Sequence, residues 1–239
     1  MKDDAAGASA TRKVRTGYVR PIDFRHGLVD LTHGSGGRAM AQLIDELFAH
    51  AFDNEWLRQG NDQAAFAAPA GRMVMATDSH VVSPLFFPGG DIGCLSVHGT
   101  LNDVAMSGAK PLYLSASCIL EEGFPLADLK RIVDSMAQAA REAGVPIVTG
   151  DTKVVEQGKG DGVFITTTGV GVVPEGVNIS GDRARPGDPI LVSGTLGAAV
   201  LLKGVDKVLR YSIDRPAVEL LYLPVSPEVK LPAKSFIDT

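Results

Sequence analysis

Cysteine, long apolar runs and excess positive charge are all scarce in this sequence. Its two cysteines, Cys94 and Cys118, are too few and too far apart for a zinc knuckle or a disulfide framework, and they fit a reducing cytoplasm. No apolar run approaches the roughly 18 residues expected of a membrane span, and no signal-peptide core follows the N-terminal charges. The formal net charge is −5, without a basic stripe that would track a phosphate backbone. We therefore expect a cytoplasmic globular protein that binds neither nucleic acid nor a membrane.

The sequence does have enough apolar residues for a sizeable core, at 45% of its 239 positions. Apolar residues at the 3.6-residue period predict helices, and short β-branched runs predict strands. Asp91 is predicted to cap the second helix, and a hairpin turn is predicted over residues 158–161. Because strands alternate with long helices, we expect one sheet with helices on a face, in an α+β or α/β domain. The predicted helices span 40–52, 92–107 and 125–143, and the predicted strands span 72–77, 111–120, 145–149, 163–173 and 189–192.

A glycine-rich loop, His33-Gly34-Ser35-Gly36-Gly37, directly precedes the first predicted helix. Glycines allow close backbone approach, and the N–H groups at a helix start attract anions such as phosphate. The spacing fits neither a Walker A loop nor a dinucleotide fingerprint. Two interpretations therefore stay open: Gly34, Ser35, Gly36 and Gly37 contact a phosphate, or the segment is a turn in which Ser35 caps the helix.

The polar neighbours Asn102 and Asp103 interrupt an otherwise apolar second helix. We expect them to be in a buried setting, where an amide or a carboxylate without a partner costs several kcal/mol. A bound ligand is one such partner. The pair is therefore a candidate for one wall of a binding site.

Four aspartates follow or interrupt the predicted elements, and they are Asp62, Asp78, Asp103 and Asp151. If these segments converge, the carboxylates and the oxygens of Asn102 and Thr152 form a set that suits Mg²⁺ rather than zinc. Lys153 then supplies a point charge for a phosphate, and the glycine loop supplies a backbone cradle. The alternative is that the four carboxylates lie in unrelated turns.

Four motifs in this order resemble the HypE family of hydrogenase maturation factors, which is related to aminoimidazole ribonucleotide (AIR) synthetase. The motifs are the glycine loop, Thr-Asp-Ser-His at 77–80, Val-His-Gly-Thr-Leu-Asn-Asp-Val-Ala-Met-Ser-Gly-Ala-Lys-Pro at 97–111 and Gly-Asp-Thr-Lys-Val-Val at 150–155. The match covers about residues 29–197. It implies a PurM-like N-terminal ATP-binding domain of class α+β, in which a mixed four-stranded sheet covered by helices joins a second protomer's sheet in a dimer barrel.

The resemblance also implies a reaction, cofactors and partners. The family dehydrates a carbamoyl group on its own C-terminal cysteine with ATP, leaving a thiocyanate whose cyano group goes to nickel-iron hydrogenase. The implied cofactors are ATP and Mg²⁺, and the implied partners are a second copy, the carbamoyltransferase HypF and the HypC–HypD complex. Carried over to this sequence, the four aspartates lie near Mg²⁺, while Asn102, Thr152, Lys153 and the glycine loop surround the nucleotide. For His33, His80 and His98 we favour a structural or positioning role over proton transfer.

The resemblance ends after Gly197. Residues 198–239 differ from the family's second domain, and the terminal cysteine is absent, so we expect a truncated or frame-shifted family member without an assignable catalytic residue. We divide the chain into a flexible arm at 1–20, the ATP-binding domain at 21–197 and an atypical tail at 198–239.

Two other functions stay open. In the first, the chain is a Mg-ATP-binding or dimerising module without turnover. In the second, it is another PurM-like enzyme, and among these enzymes thiamine phosphate kinase is harder to exclude than selenophosphate synthetase.

Overall fold

The structure, a computed structural model, describes residues 20–183 and residue 186. The predicted arm at 1–20, apart from its last residue, lies outside the described residues. So do the strand predicted at 189–192 and the tail at 198–239. Within the described part, neither of the two long helices is long and apolar enough to cross a membrane.

A mixed four-stranded sheet forms the centre of the domain, as predicted. Its strands are β1 (Arg72–His80), β4 (Lys110–Glu121), β5 (Ile147–Val155) and β6 (Val163–Val173). Among the described residues their order in the sheet is β1-β6-β4-β5, so that β1 and β5 lie at the edges. β4 is antiparallel to β6 and parallel to β5, and β6 is also antiparallel to β1.

Two long helices cover one face of this sheet. Helix α3 (Ile92–Met106) packs on β1 and β6, and α4 (Leu126–Ala143) packs against α3. Leu129, Ile132 and Met136 of α4 are fully buried, as the helical period predicts. The first predicted helix is also present, although a π-helical turn, Ile44–Phe48, separates α1 (Arg38–Leu43) from α2 (Ala49–Ala51).

The two predicted helix caps have opposite outcomes. The Asp91 side chain accepts a hydrogen bond from the Cys94 N–H at 3.0 Å, so the predicted cap of α3 is confirmed. The predicted Ser35 cap is wrong, because Gly37 is the N-cap of α1 and makes no side-chain bond there. Ser35 instead ends a 3₁₀ turn, Leu31–Gly34, and its hydroxyl donates to the Thr32 carbonyl at 3.1 Å.

Other expectations need correction where long-range pairing overrides local signals. The turn at 158–161 does not join a hairpin, because β6 enters the sheet between β1 and β4 while β5 pairs on the far side of β4. Asp78 and Asp151 lie inside strands rather than beyond their ends, since β6 and β4 supply partners that extend both strands. A short hairpin, β2 (Phe86–Phe87) and β3 (Gly90–Asp91), lies between β1 and α3, where no strand was predicted.

The other face of the sheet is rich in hydroxyl groups, and we call it the hydroxyl face. The Thr77 and Thr168 hydroxyls form a hydrogen bond at 2.9 Å across β1 and β6, and Ser79 and Thr166 do so in the next row. The side chains on this face are exposed or half-buried. The hydroxyl-bearing residues are Thr77, Ser79, Ser115, Ser117, Thr149, Thr166 and Thr168.

Candidate functional site

Asp78 and Asp103 lie near each other on the helix-covered side of β1. Asp78 is on β1, and its Oδ1 atom accepts a hydrogen bond from the Ser79 N–H at 2.9 Å. Asp103 is on α3, which packs on β1. Partial burial and the charge of Asp78 raise the pKa of Asp103. Two carboxylates that repel each other in this way favour a cation between them.

The polar pair of α3 is less buried than expected. Asp103 is exposed and Asn102 is half-buried, because the helix turns them away from the sheet while Leu101 and Val104 enter the core. The two side chains are therefore not buried deeply enough to require a ligand as a hydrogen-bond partner. What marks Asp103 as a candidate is its position beside Asp78.

A second group of predicted residues lies at β5, the opposite edge strand. Asp151 and Lys153 form an ion pair at 3.4 Å, with both side chains more than half exposed. The glycine loop packs here as well, since a Cβ atom on Gly34 would lie 2.5 Å from the Val154 nitrogen. Only glycine permits that approach. The loop, Asp151 and Lys153 are thus brought together.

Thr152 lies at the same edge but points the other way. Its side chain is buried on the helix side of the sheet, because strand residues alternate between faces. Its backbone N–H donates to the Asp151 carboxylate at 2.9 Å. Any contact of Thr152 with a ligand on the side of Lys153 would therefore use the backbone.

Asp62 belongs to the β5 group through its backbone. Its carbonyl oxygen accepts a hydrogen bond from the Thr149 hydroxyl at 2.8 Å, two residues before Asp151. The connection that carries Asp62 is also held by aromatic contacts, because Trp56 and Phe66 both pack on Tyr113 of β4, with ring centroids 5.2 and 4.2 Å away. Neither contact was predicted from the sequence. The aromatic residues in this otherwise polar connection are the sequence feature that could have indicated this packing.

The two groups do not meet within one chain. In the sheet register, Asp78 pairs with Thr167, Thr167 with Ala116, and Ala116 with Gly150, the neighbour of Asp151. Three strand spacings of about 4.8 Å separate the edges by roughly 14 Å. The two groups also lie on opposite faces. Among the described residues, no three His, Cys, Asp or Glu side chains are placed to hold one metal ion.

Each group has a distinct chemical capacity. Mg²⁺ in nucleotide sites commonly uses one or two carboxylates and takes its other ligands from phosphates and water. Asp78 and Asp103 fit that donor set, whereas they are too few for an all-protein metal cage. Lys153 and the glycine loop offer one positive charge and a close backbone surface, which suits a phosphate.

Comparison with known proteins places this domain in context. Residues 60–173 match the family model described as AIR synthase related protein, N-terminal domain. Carbamoyl dehydratase HypE of Cupriavidus necator is 80% identical over 185 residues, which are 77% of this chain and 53% of that protein. The resemblance to HypE is confirmed. The chain spans about half the length of the curated HypE proteins that it matches.

Solved structures agree with the match to HypE. A crystal structure of hydrogenase maturation protein HypE in complex with ATP has a TM-score of 0.64 and 57% identity, covering 66% of this chain and 47% of that one. A thiamine-monophosphate kinase from Stenotrophomonas maltophilia has a TM-score of 0.55 and 25% identity, covering 79% and 62%. The fold is therefore shared with the kinase, while the sequence is much closer to HypE.

Proposed function

We propose that this chain supplies the ATP-binding half of a HypE-type carbamoyl dehydratase. In that reaction ATP drives the dehydration of a C-terminal S-carboxamide to a thiocyanate. The proposal rests on the presence of two chemically complementary groups. One is the carboxylate pair at β1 and α3, and the other is the lysine with the glycine loop at β5. One suits Mg²⁺ and the other a phosphate, which are the two components of Mg-ATP. The HypE structure with bound ATP supports the same ligand.

Mg²⁺ would be held by Asp78 and Asp103. The ion would neutralise phosphate charge and relieve the repulsion by Asp78, which adds to desolvation in raising the pKa of Asp103. Asp62 and Asp151 complete the proposed metal-facing set at the other edge. Asn102, the backbone of Thr152, Lys153 and the loop residues Gly34, Ser35, Gly36 and Gly37 would contact the nucleotide.

The two groups would form a complete site only when two copies of the chain associate. Each copy presents one group at each edge of its sheet, about 14 Å apart, and an unpaired strand edge is a natural place for a second chain to join. Joining the sheets in a dimer barrel would also cover the hydroxyl face. If β1 of one copy joined β5 of its partner, the Asp78 group of that copy and the Lys153 group of its partner would meet at the same junction between the sheets, each from its own face.

The alternative function is a module that binds Mg-ATP or dimerises without turnover. It is favoured by one observation on the sequence, the difference of residues 198–239 from the family pattern. HypF and the HypC–HypD complex are the partners that the similarity to HypE suggests for the complete protein.

Titration with Mg-ATP distinguishes these functions. Purified chain is titrated alone and with a peptide ending in S-carbamoylated cysteine, while released phosphate is measured. We expect saturable binding of Mg-ATP. If the chain is catalytically competent, phosphate should be released only when the peptide is present. Binding without release in either case identifies the module. The absence of Mg-ATP binding would contradict the proposed function and leave only the dimerisation role.

A further inference from the structure

His80 lies beside Asp78, one of the two carboxylates of the candidate Mg²⁺ site. Both residues are on β1, two positions apart and therefore on the same face. His80 Nε2 lies 3.8 Å from Asp78 Oδ2. The His80 side chain is only 1% exposed, whereas Asp78 is 32% exposed. A fixed, buried ring thus contacts the inner side of a carboxylate whose outer side reaches solvent.

Gly99 of α3 fixes the space around this contact. A Cβ atom at Gly99 would lie 2.9 Å from His80 Cε1 and 3.5 Å from Asp78 Oδ2. The first distance is shorter than carbon atoms tolerate, so an alanine would displace the imidazole ring from its observed position beside the carboxylate. The absence of a side chain at Gly99 therefore allows the observed arrangement of ring and carboxylate.

We propose that His80, held against Gly99, is a positioning residue that orients the Asp78 carboxylate toward a Mg²⁺ ion bound with ATP. The inference rests on the proposed function, because it assigns a role at the same site. Outer partners that fix a ligating carboxylate affect metal affinity by about 10- to 100-fold when removed. His80 touches neither the cation nor the nucleotide in this role.

The test separates the metal-dependent and metal-independent parts of ATP binding. ATP affinity is measured by calorimetry in Mg²⁺ and again in EDTA, for wild type, His80→Leu and His80→Gln. We expect His80→Leu to lose about tenfold or more of the gain in affinity that Mg²⁺ provides, with unchanged affinity in EDTA. His80→Gln keeps a nitrogen donor of similar reach, so it should retain most of that gain.

A merely structural histidine would give a different pattern. If it only fills the core, His80→Leu should keep the full Mg²⁺ gain, or it should lower both affinities together with the melting temperature, and either result overturns the proposal. If His80→Leu does not fold, Gly99→Ala replaces it, since it disturbs the same contact while keeping the histidine. A wild-type chain that binds ATP without any Mg²⁺ gain would remove the proposed metal site itself.

Discussion

A chain of buried hydroxyl groups fixes α3 on the sheet, and replacing Thr167 with valine tests how much it contributes. The Thr167 hydroxyl donates to the Ser96 carbonyl at 2.7 Å, and it lies 2.6 Å from the Thr100 hydroxyl. Ser96, Thr100 and Thr167 are all fully buried. Thr167 is also the register partner of Asp78, so this chain holds α3 at the row of the sheet that carries the candidate site.

The expected cost follows from the bonds that valine cannot make. Valine keeps the shape of threonine but removes two hydrogen bonds, each with a net value of about 1 kcal/mol. Thr100 can still donate to the Thr167 carbonyl at 3.4 Å, which limits the penalty for its hydroxyl. Thr167→Val should therefore lower the free energy of unfolding by about 2 kcal/mol. The melting temperature should fall by about 4–8 °C.

Chemical denaturation followed by circular dichroism measures this change. Thr166→Val is the matched control, because it is the next residue of β6 and its hydroxyl bonds to Ser79 on the hydroxyl face. It should change the free energy of unfolding by less than about 0.5 kcal/mol. A double-mutant cycle with Thr100→Val should show coupling, since the two hydroxyls are in contact. Equal effects of the Thr166 and Thr167 substitutions would refute the assigned role of the buried chain.

One further substitution and one chemical treatment test the packing of the domain. Gly150→Ala should destabilise the domain by about 1–3 kcal/mol or more in chemical denaturation, because its Cβ atom would lie 2.0 Å from the Ala116 carbonyl oxygen between β4 and β5; a neutral effect would contradict that close approach. Burial raises the pKa of Cys118 to about 12, and burial also raises the pKa of Cys94. A thiol reagent at pH 8 should therefore modify Cys118 only after unfolding, since the thiolate is the reactive form, and rapid modification of native Cys118 would contradict its burial.

The long, periodic elements could be predicted because their local and tertiary signals agree. The apolar stripe of α4 and the β-branched run of β6 each have one stable way to bury their side chains. Asp91 could be predicted as a cap because an N-cap bond depends only on neighbouring residues. The mixed sheet itself came from the resemblance to HypE rather than from periodicity.

Strand order and the distribution of the site could not be predicted, because they depend on pairing between distant segments. Nothing near residues 158–161 shows that β6 enters the sheet on the far side of β4 from β5. That insertion places Asp78 and Asp151 at opposite edges, although each follows a similar apolar run. The exposure of Asp103 has a similar origin, since the rotation of α3 is set by its contacts with β1 and β6.

The claim that two copies complete one nucleotide site is tested most directly by mixing two defective variants. Asp78→Asn and Lys153→Ala should each lose Mg-ATP binding. If each site takes Asp78 from one chain and Lys153 from its partner, a mixed dimer has one intact site. Co-refolding equal amounts should then restore about a quarter of the wild-type binding sites, since half of the dimers are mixed. Calorimetric titration that shows no recovery would place both residues in a site within one chain and contradict the account.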